Sequence, residues 1–252
     1  MSPSLRRALG AAIASTILHL GAGSRAAAQA SGADSVRADS ARADSLRRAR
    51  PTTLAPVRIT ALGGSLAPNR VPYAVAVTGA APASRLTAPL AVDEPLRGIP
   101  GVAVANRYNI ALGERITIRG FGARTQFGVR GIHVDVDGVP ATMPDGQTTL
   151  SHVDAGTIAR TEALRGPASS LYGNSAGGAL LLGTWLPARS GGDARGSLSL
   201  GERGTTTSRL ELGSALGAWS AAARASSLDY NGYRVHSDAR DVRGGARLAH
   251  AA

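Results

Sequence analysis

The apolar and polar positions divide the chain into four regimes. Ala8 to Leu20 is a mostly apolar run behind the Arg6-Arg7 pair, and Ala28-Gln29-Ala30 supplies small residues after it. The run is too short to cross a bilayer as a helix. A charged start, an apolar middle and a small-residue end predict a secretory signal over residues 1–30, cleaved after Ala30. Next, ADSVR, ADSAR and ADSLR follow one another from Ala33 to Arg47. Their repeat length matches neither strand nor helix periodicity, so no continuous apolar face forms, and residues 31–53 read as a flexible spacer.

In Leu54-Ala55-Pro56-Val57-Arg58-Ile59-Thr60-Ala61 the apolar Val57, Ile59 and Ala61 alternate with Arg58 and Thr60. Pro56 forbids a helix and suits an edge strand. A short extended segment on a tether is what pairing with the sheet edge of a partner requires. The plainer reading is an ordinary first strand of the domain that follows.

Val71 to Thr78 predicts that domain's first strand, and Leu90 to Arg97 a short helix that contains Pro95. Ile116 to Ile118 runs as a strand into a glycine-flanked loop, which Thr125 to Arg130 continue. Ile132 to Asp137 alternates strictly, as a half-buried strand does, and Pro140 to Gln147 form a second loop. From Ile158 the chain reads as a strand stopped by Gly166-Pro167, then one helical turn over Ala168 to Tyr172. A glycine-rich bend, Gly173 to Gly178, leads into a short buried strand over Ala179 to Leu182.

The pattern changes at Gly196. Leu198 and Leu200 alternate with Ser197 and Ser199, and Leu210 and Leu212 with Arg209 and Glu211. Ala221, Ala223 and Ala225 alternate with Ser220, Ala222 and Arg224. Three strands and the start of a fourth near Asp241 to Ala249 carry the signature of membrane β-strands, apolar outward and polar inward. A soluble β-meander would alternate in the same way.

Composition narrows the function classes. All 28 basic residues are arginines, and with 17 acids the net charge is +11. The arginines are scattered, and aromatic residues make up only 4%, too few for base-stacking platforms, so nucleic acid is not the expected partner. The absence of cysteine removes disulfides and thiol-based metal or nucleophile sites. Gly173-Asn174-Ser175-Ala176-Gly177 spells the nucleophile elbow of a hydrolase, with His236 or His250 as candidate bases, but a strand follows it where a helix is needed. His133, Asp135 and Asp137 share one strand face and are conceivable metal ligands. Val139 and Gly138 break the calcium-loop spacing, and the plainer reading is a set of polar residues on a wet face. The glycine run lacks the Lys-Ser/Thr of a phosphate loop. No cofactor or metal is expected.

Ile158 to Thr184 resembles the end of the plug domain of TonB-dependent outer-membrane receptors. There an acidic residue, Leu-Arg-Gly-Pro, Leu-Tyr-Gly, a glycine pair and an apolar strand follow in the order found here. Ile99-Pro100-Gly101-Val102 matches the same family, and Leu54 to Ala61 resembles its TonB box, in which an apolar run ends in Val/Ile-Thr-Ala. The loops RGFGARTQFGVRGI and DGVPATMPDGQT also resemble a narrower group that includes the pyrroloquinoline-quinone receptor.

The resemblance implies an α+β plug domain, a small mixed sheet with short helices, over residues 71–188. Over residues 195–252 it implies the first antiparallel strands of a truncated transmembrane β-barrel, which in the family has about 22 strands. It further implies active import of a small-molecule ligand, such as a metal chelate, a siderophore or a cofactor, across the outer membrane of a Gram-negative envelope. No covalent chemistry is involved. A TonB-type energy-coupling protein in the periplasm would engage Leu54, Ala55, Pro56, Val57, Arg58, Ile59, Thr60 and Ala61. Phe121, Arg124, Gln126, Phe127, Arg130, Met143, Asp145 and Gln147 would meet the ligand at the plug apex. Arg119 and Arg165 would face glutamates on the inner barrel wall. The competing expectation is a periplasmic ligand-binding or signalling module with a soluble β tail.

Overall fold

A computed structural model of the chain describes residues 57–79, 91–105, 113–126, 128–187 and 190–251. The expected signal, the spacer, Leu54 to Pro56 and Phe127 lie outside the described residues.

β1 (Ala74–Gly79) begins a few residues later than its apolar run. α1 is a single turn, Asp93–Leu96, with Pro95 as its third residue. A first-turn N–H has no intrahelical partner, so the proline costs this helix nothing and the turn simply starts later than expected. β2 (Val102–Ala105) and β3 (Arg115–Ile118) form a two-stranded ribbon, as do β4 (Val129–Arg130) and β7 (Gln147–Thr148). β5 (Ile132–Val136), β6 (Val139–Pro140), β8 (Ile158–Arg165) and β9 (Gly178–Thr184) join β1 in one sheet of order β1-β8-β9-β5-β6. The sheet is mixed, because β5 and β9 are parallel while the other pairs are antiparallel. α2 (Ser169–Tyr172) sits between β8 and β9.

Both faces of this sheet are covered, which is why β9 reads as a continuous apolar run rather than an alternation. Leu180 and Leu182 point into the larger core with Ile116, Ile118, Ile132 and Val134. Leu164 and Ala179 point into a smaller one with Ala168, Ile59 and Ala61. Gly178 must stay a glycine: its φ is +140°, and a Cβ there would lie 2.2 Å from the Leu164 carbonyl oxygen.

The last quarter is a separate antiparallel sheet of β10 (Gly191–Leu200), β11 (Thr206–Leu216), β12 (Trp219–Tyr230) and β13 (Ala239–His250), in sequential order. It starts at Gly191, four residues before the expected boundary, and its fourth strand is complete. Along β11, Arg209 and Ala215 are buried while Leu212 and Leu216 face outward, and Leu216 is 80% exposed. Leu200 at 76% and Leu248 at 67% extend that apolar outer face. With its apolar side outward and its polar side inward, the sheet has the orientation expected of membrane β-strands.

Candidate functional site

The expected coupling segment enters the structure at Val57, which is 50% exposed. Its last residues are docked on the sheet. Ile59 pairs with Leu66 through two backbone bonds, and the Ile59 and Ala61 side chains are buried in the smaller core. Glu162, in the middle of β8 and 1% exposed, holds them from beneath. One carboxylate oxygen accepts the Thr60 N–H at 2.8 Å and the Ala61 N–H at 2.9 Å; the other accepts the Thr60 hydroxyl at 2.7 Å. Arg160 steadies the carboxylate through Nε at 3.0 Å and Nη2 at 2.7 Å, and also donates to the Arg58 carbonyl. The Tyr172 hydroxyl donates to the Ala61 carbonyl. Burial pushes the Glu162 carboxyl up, but these donors outweigh it and hold it below the usual carboxylate range.

The expected apex residues come from two loops that meet. Arg124, Gln126, Arg130 and Gln147, with Gly122, Thr125 and Gly131, line an open recess of about 570 Å³. Arg130 reaches Gln147 Oε1 at 3.4 Å and Asp145 at 3.6 Å, while Arg124 has no ion-pair partner among the described residues. Phe121 and Met143 are exposed beside these loops. Gly122 and Gly131 both have positive φ, and a Cβ at Gly122 would lie 2.5 Å from the Ile116 carbonyl oxygen. Glycine here is what lets the loop fold back over β3.

Arg119 and Arg165 do not meet the described wall strands. Arg165 donates to the carbonyls of Pro100 and Ala74, at 3.0 and 3.3 Å. Arg119 occupies a left-handed turn at φ 50°, its N–H bonded to the Gly101 carbonyl. The contacts between plug and wall that do form have the opposite polarity: plug carboxylates and wall arginines. Asp154 accepts Nε and Nη2 of Arg209 at 2.7 Å each and also receives the Gly156 N–H. Burial raises the Asp154 carboxyl, but the Arg209 fork overcomes this and leaves it below its ordinary value. Asp137 receives Arg247 at 2.7 Å, Arg224 at 3.6 Å and both the N–H and hydroxyl of Thr184. Arg243 donates to the Val153 carbonyl at 3.1 Å. Between these contacts lies a cavity of about 80 Å³ with a mixed lining that includes Val136, Val153, Asp154, Thr184, Arg224 and Arg243.

The wet-face reading of His133, Asp135 and Asp137 is therefore corrected. His133 is buried and stacks on Tyr172 with ring centroids 4.8 Å apart. Asp135 caps the Gly138 N–H at 2.7 Å, and Asp137 leaves the strand at φ 58° to face the wall. The elbow serine is also accounted for. Ser175 lies on a bend between α2 and β9, fully buried, with its hydroxyl unpartnered among the described residues. His250 instead packs on Trp219 in the wall.

The family model described as "TonB-dependent Receptor Plug Domain" matches residues 67–180. A hemin receptor of Yersinia enterocolitica is 31% identical over 123 residues, and one of Yersinia pestis 34% over 126. Each match covers 49% of this chain, and the chain spans only 17% of either relative. Among solved structures, the pyoverdine outer membrane receptor FpvA of Pseudomonas aeruginosa superposes with a TM-score of 0.53 at 21% identity, over 69% of this chain and 25% of that one. The ferric yersiniabactin uptake receptor FyuA of Yersinia pestis gives 0.51 at 22%, over 70% and 28%. Residues 67–180 thus match the plug domain of TonB-dependent receptors in sequence, and the described fold is similar to that of solved receptors of this kind.

Proposed function

We propose that this chain is the plug-bearing part of an outer-membrane receptor that imports a scarce small molecule, with a metal chelate or a cofactor as cargo. The observation that carries the reading is the apex recess, where arginines and amides from two sequence-distant loops converge on open space. The names of the Yersinia relatives favour an iron-bearing ligand such as hemin. Energy comes from a TonB-type periplasmic protein that adds a strand to the segment ending near Ala61. Export by a signal over residues 1–30 delivers the chain to the envelope. The outer edges of β10 and β13 are unpaired among the described residues. Unpaired backbone groups are costly in hydrocarbon, so the working form closes its wall with further strands.

The test is growth of an iron-starved host that depends on this receptor, supplied with hemin or a panel of ferric siderophores. At least one chelate should support growth, and Val57→Pro should stop uptake while surface-bound ligand persists. Growth on none of them, or uptake indifferent to Val57→Pro, would defeat the reading.

A further inference from the structure

The cavity between plug and wall is bordered by two guanidiniums, those of Arg224 on β12 and Arg243 on β13. In the register of these strands Arg224 faces Gly245, and Ser226 faces Arg243. The two arginines are therefore diagonal neighbours on the inward face, about 7–8 Å apart at the backbone and within joint reach of one small ion. Glycine at 245 leaves the space between them open. A Cβ there would lie 3.1 Å from Arg224 Nε, and a side chain longer than alanine would occupy that space.

The polar groups around this space are unevenly engaged. Arg243 gives Nη1 to the Val153 carbonyl at 3.1 Å and Nη2 to Asp241 at 2.6 Å. Its Nε is buried with no partner among the described residues. Arg224 gives Nη1 to the Thr184 hydroxyl at 2.6 Å, while its Nη2 stands 3.6 Å from Asp137, beyond hydrogen-bond length. Asp137 is already held by Arg247 at 2.7 Å. Asp154, which also borders the cavity, is closed off by both Arg209 bonds and the Gly156 N–H. Asp241, Glu211 and Glu114 lie near these arginines without bordering the cavity. The charged surface of the cavity is thus two guanidiniums to one carboxylate, and that carboxylate is neutralised from its far side. A buried donor without an acceptor is costly, and an anion relieves it best where the neighbouring charge is positive.

We propose that this cavity is a binding site for a small free carboxylate of the size of formate or acetate, held between Arg243 Nε and Arg224 Nη2. A planar anion with two oxygens places one on each donor, which a halide cannot do. At about 80 Å³ the cavity takes such an ion whole and excludes a chelate or a peptide. Its donors come from the wall, while His152 and Thr157 of the plug complete the lining. The ion therefore binds the docked arrangement and not the separated parts, so its occupancy holds plug and wall together. The site is distinct from the apex recess and does not depend on what the protein imports.

The experiment uses the full chain in detergent with carbon-labelled formate as the probe, its binding read by NMR saturation transfer at constant ionic strength. Formate should bind saturably. Acetate should displace it, whereas benzoate, too bulky for the cavity, should do so at least about tenfold less well. Gly245→Val keeps every arginine and fills the space between Arg224 and Arg243; it should weaken formate binding by about tenfold or more. Arg243→Lys keeps the charge but removes the Nε donor, and should show the same loss if Gly245→Val misfolds. Saturating formate should also slow protease cleavage near Val153 severalfold in the parent and not in Gly245→Val. Binding that does not saturate, displacement by benzoate as effective as by acetate, or undiminished binding in either folded variant would overturn the proposal.

Discussion

Arg209 of the wall grips Asp154 of the plug through two parallel bonds of 2.7 Å, with both side chains about nine-tenths buried. A buried pair broken on one side leaves an uncompensated charge, which costs about 3–5 kcal/mol. Asp154→Ala should therefore loosen the plug, seen as faster protease cleavage near Val153 with the wall strands still protected. Replacing both partners with apolar residues should recover much of the loss. Equal protection in Asp154→Ala and the parent would remove this pair from the list of plug anchors.

The guanidinium of Arg209 lies against Gly156. A Cβ on that residue would sit 2.1 Å from the guanidinium carbon. Arginine is usually free to swing aside, but here its fork is fixed by Asp154. Gly156→Ala should reproduce the Asp154→Ala phenotype in milder form, by about 1–3 kcal/mol as overpacking does. Protease resistance of the Gly156→Ala variant, compared with the parent and with Asp154→Ala, measures it.

Acid should release the plug before it melts the wall. Asp154 and Glu162 both have carboxyls held below their ordinary values when folded. Such groups add stability that is fully present above the unfolded value and is lost as pH falls through the folded one. Burial lowers His133, so its protonation costs stability in the same direction, starting below the ordinary histidine value. Glu114 opposes them, because burial raises it and acid neutralises a charge that is costly to bury. Protection factors in β8 and around Thr60, taken relative to the intrinsic exchange rate at each pH, should hold steady at neutral pH and fall below about pH 4. Loss of protection that begins on the alkaline side would contradict this assignment.

Ser175 gives a prediction of the opposite kind. Its hydroxyl is buried with no partner among the described residues. Removing it should be neutral or stabilising, since an unsatisfied buried polar group costs about 1–3 kcal/mol. Ser175→Ala should keep or raise the plug's melting temperature. Any esterase activity lost in that variant would revive the hydrolase reading.

The apex recess predicts charge selectivity in binding. Reversing both Arg124 and Arg130 to glutamate removes the two guanidiniums that line it. Capture of hemin, which carries carboxylates, should weaken by about tenfold or more relative to a neutral chelate, as charge-assisted bonds are replaced by repulsion. Parallel loss for charged and neutral chelates would point to loop collapse instead.

Much of the fold was legible because it depends on local spacing. Gly166-Pro167, the helical turn and the glycine bend encode β8, α2 and β9 within a single stretch, and the two apex loops are each framed by a strand on either side. The anchors were not legible. Asp154 and Arg209 are 55 residues apart, Asp137 and Arg247 are 110 apart, and Thr60 and Glu162 are 102 apart. An acid in a loop and an arginine in an alternating strand look like any solvated charge until the fold brings them together. The fourth wall strand was read as a beginning only, because Gly244-Gly245 and its arginines blur the alternation that β11 and β12 keep. Ile59 and Ala61 showed the right alternation, but alternation cannot say whether an apolar face awaits a partner or already rests on its own domain.

The cavity between plug and wall lies beside the tightest contact across the seam, since Asp154 lines it and also holds Arg209. At about 80 Å³ it has room for more than one water, and its lining of histidine, carboxylate and guanidinium groups offers each water several partners. Arg224 and Arg243, which line the hollow, have room to shift, while Arg209 stays clamped on Asp154 beside it. The seam between plug and wall is therefore tight at one point and open at the next.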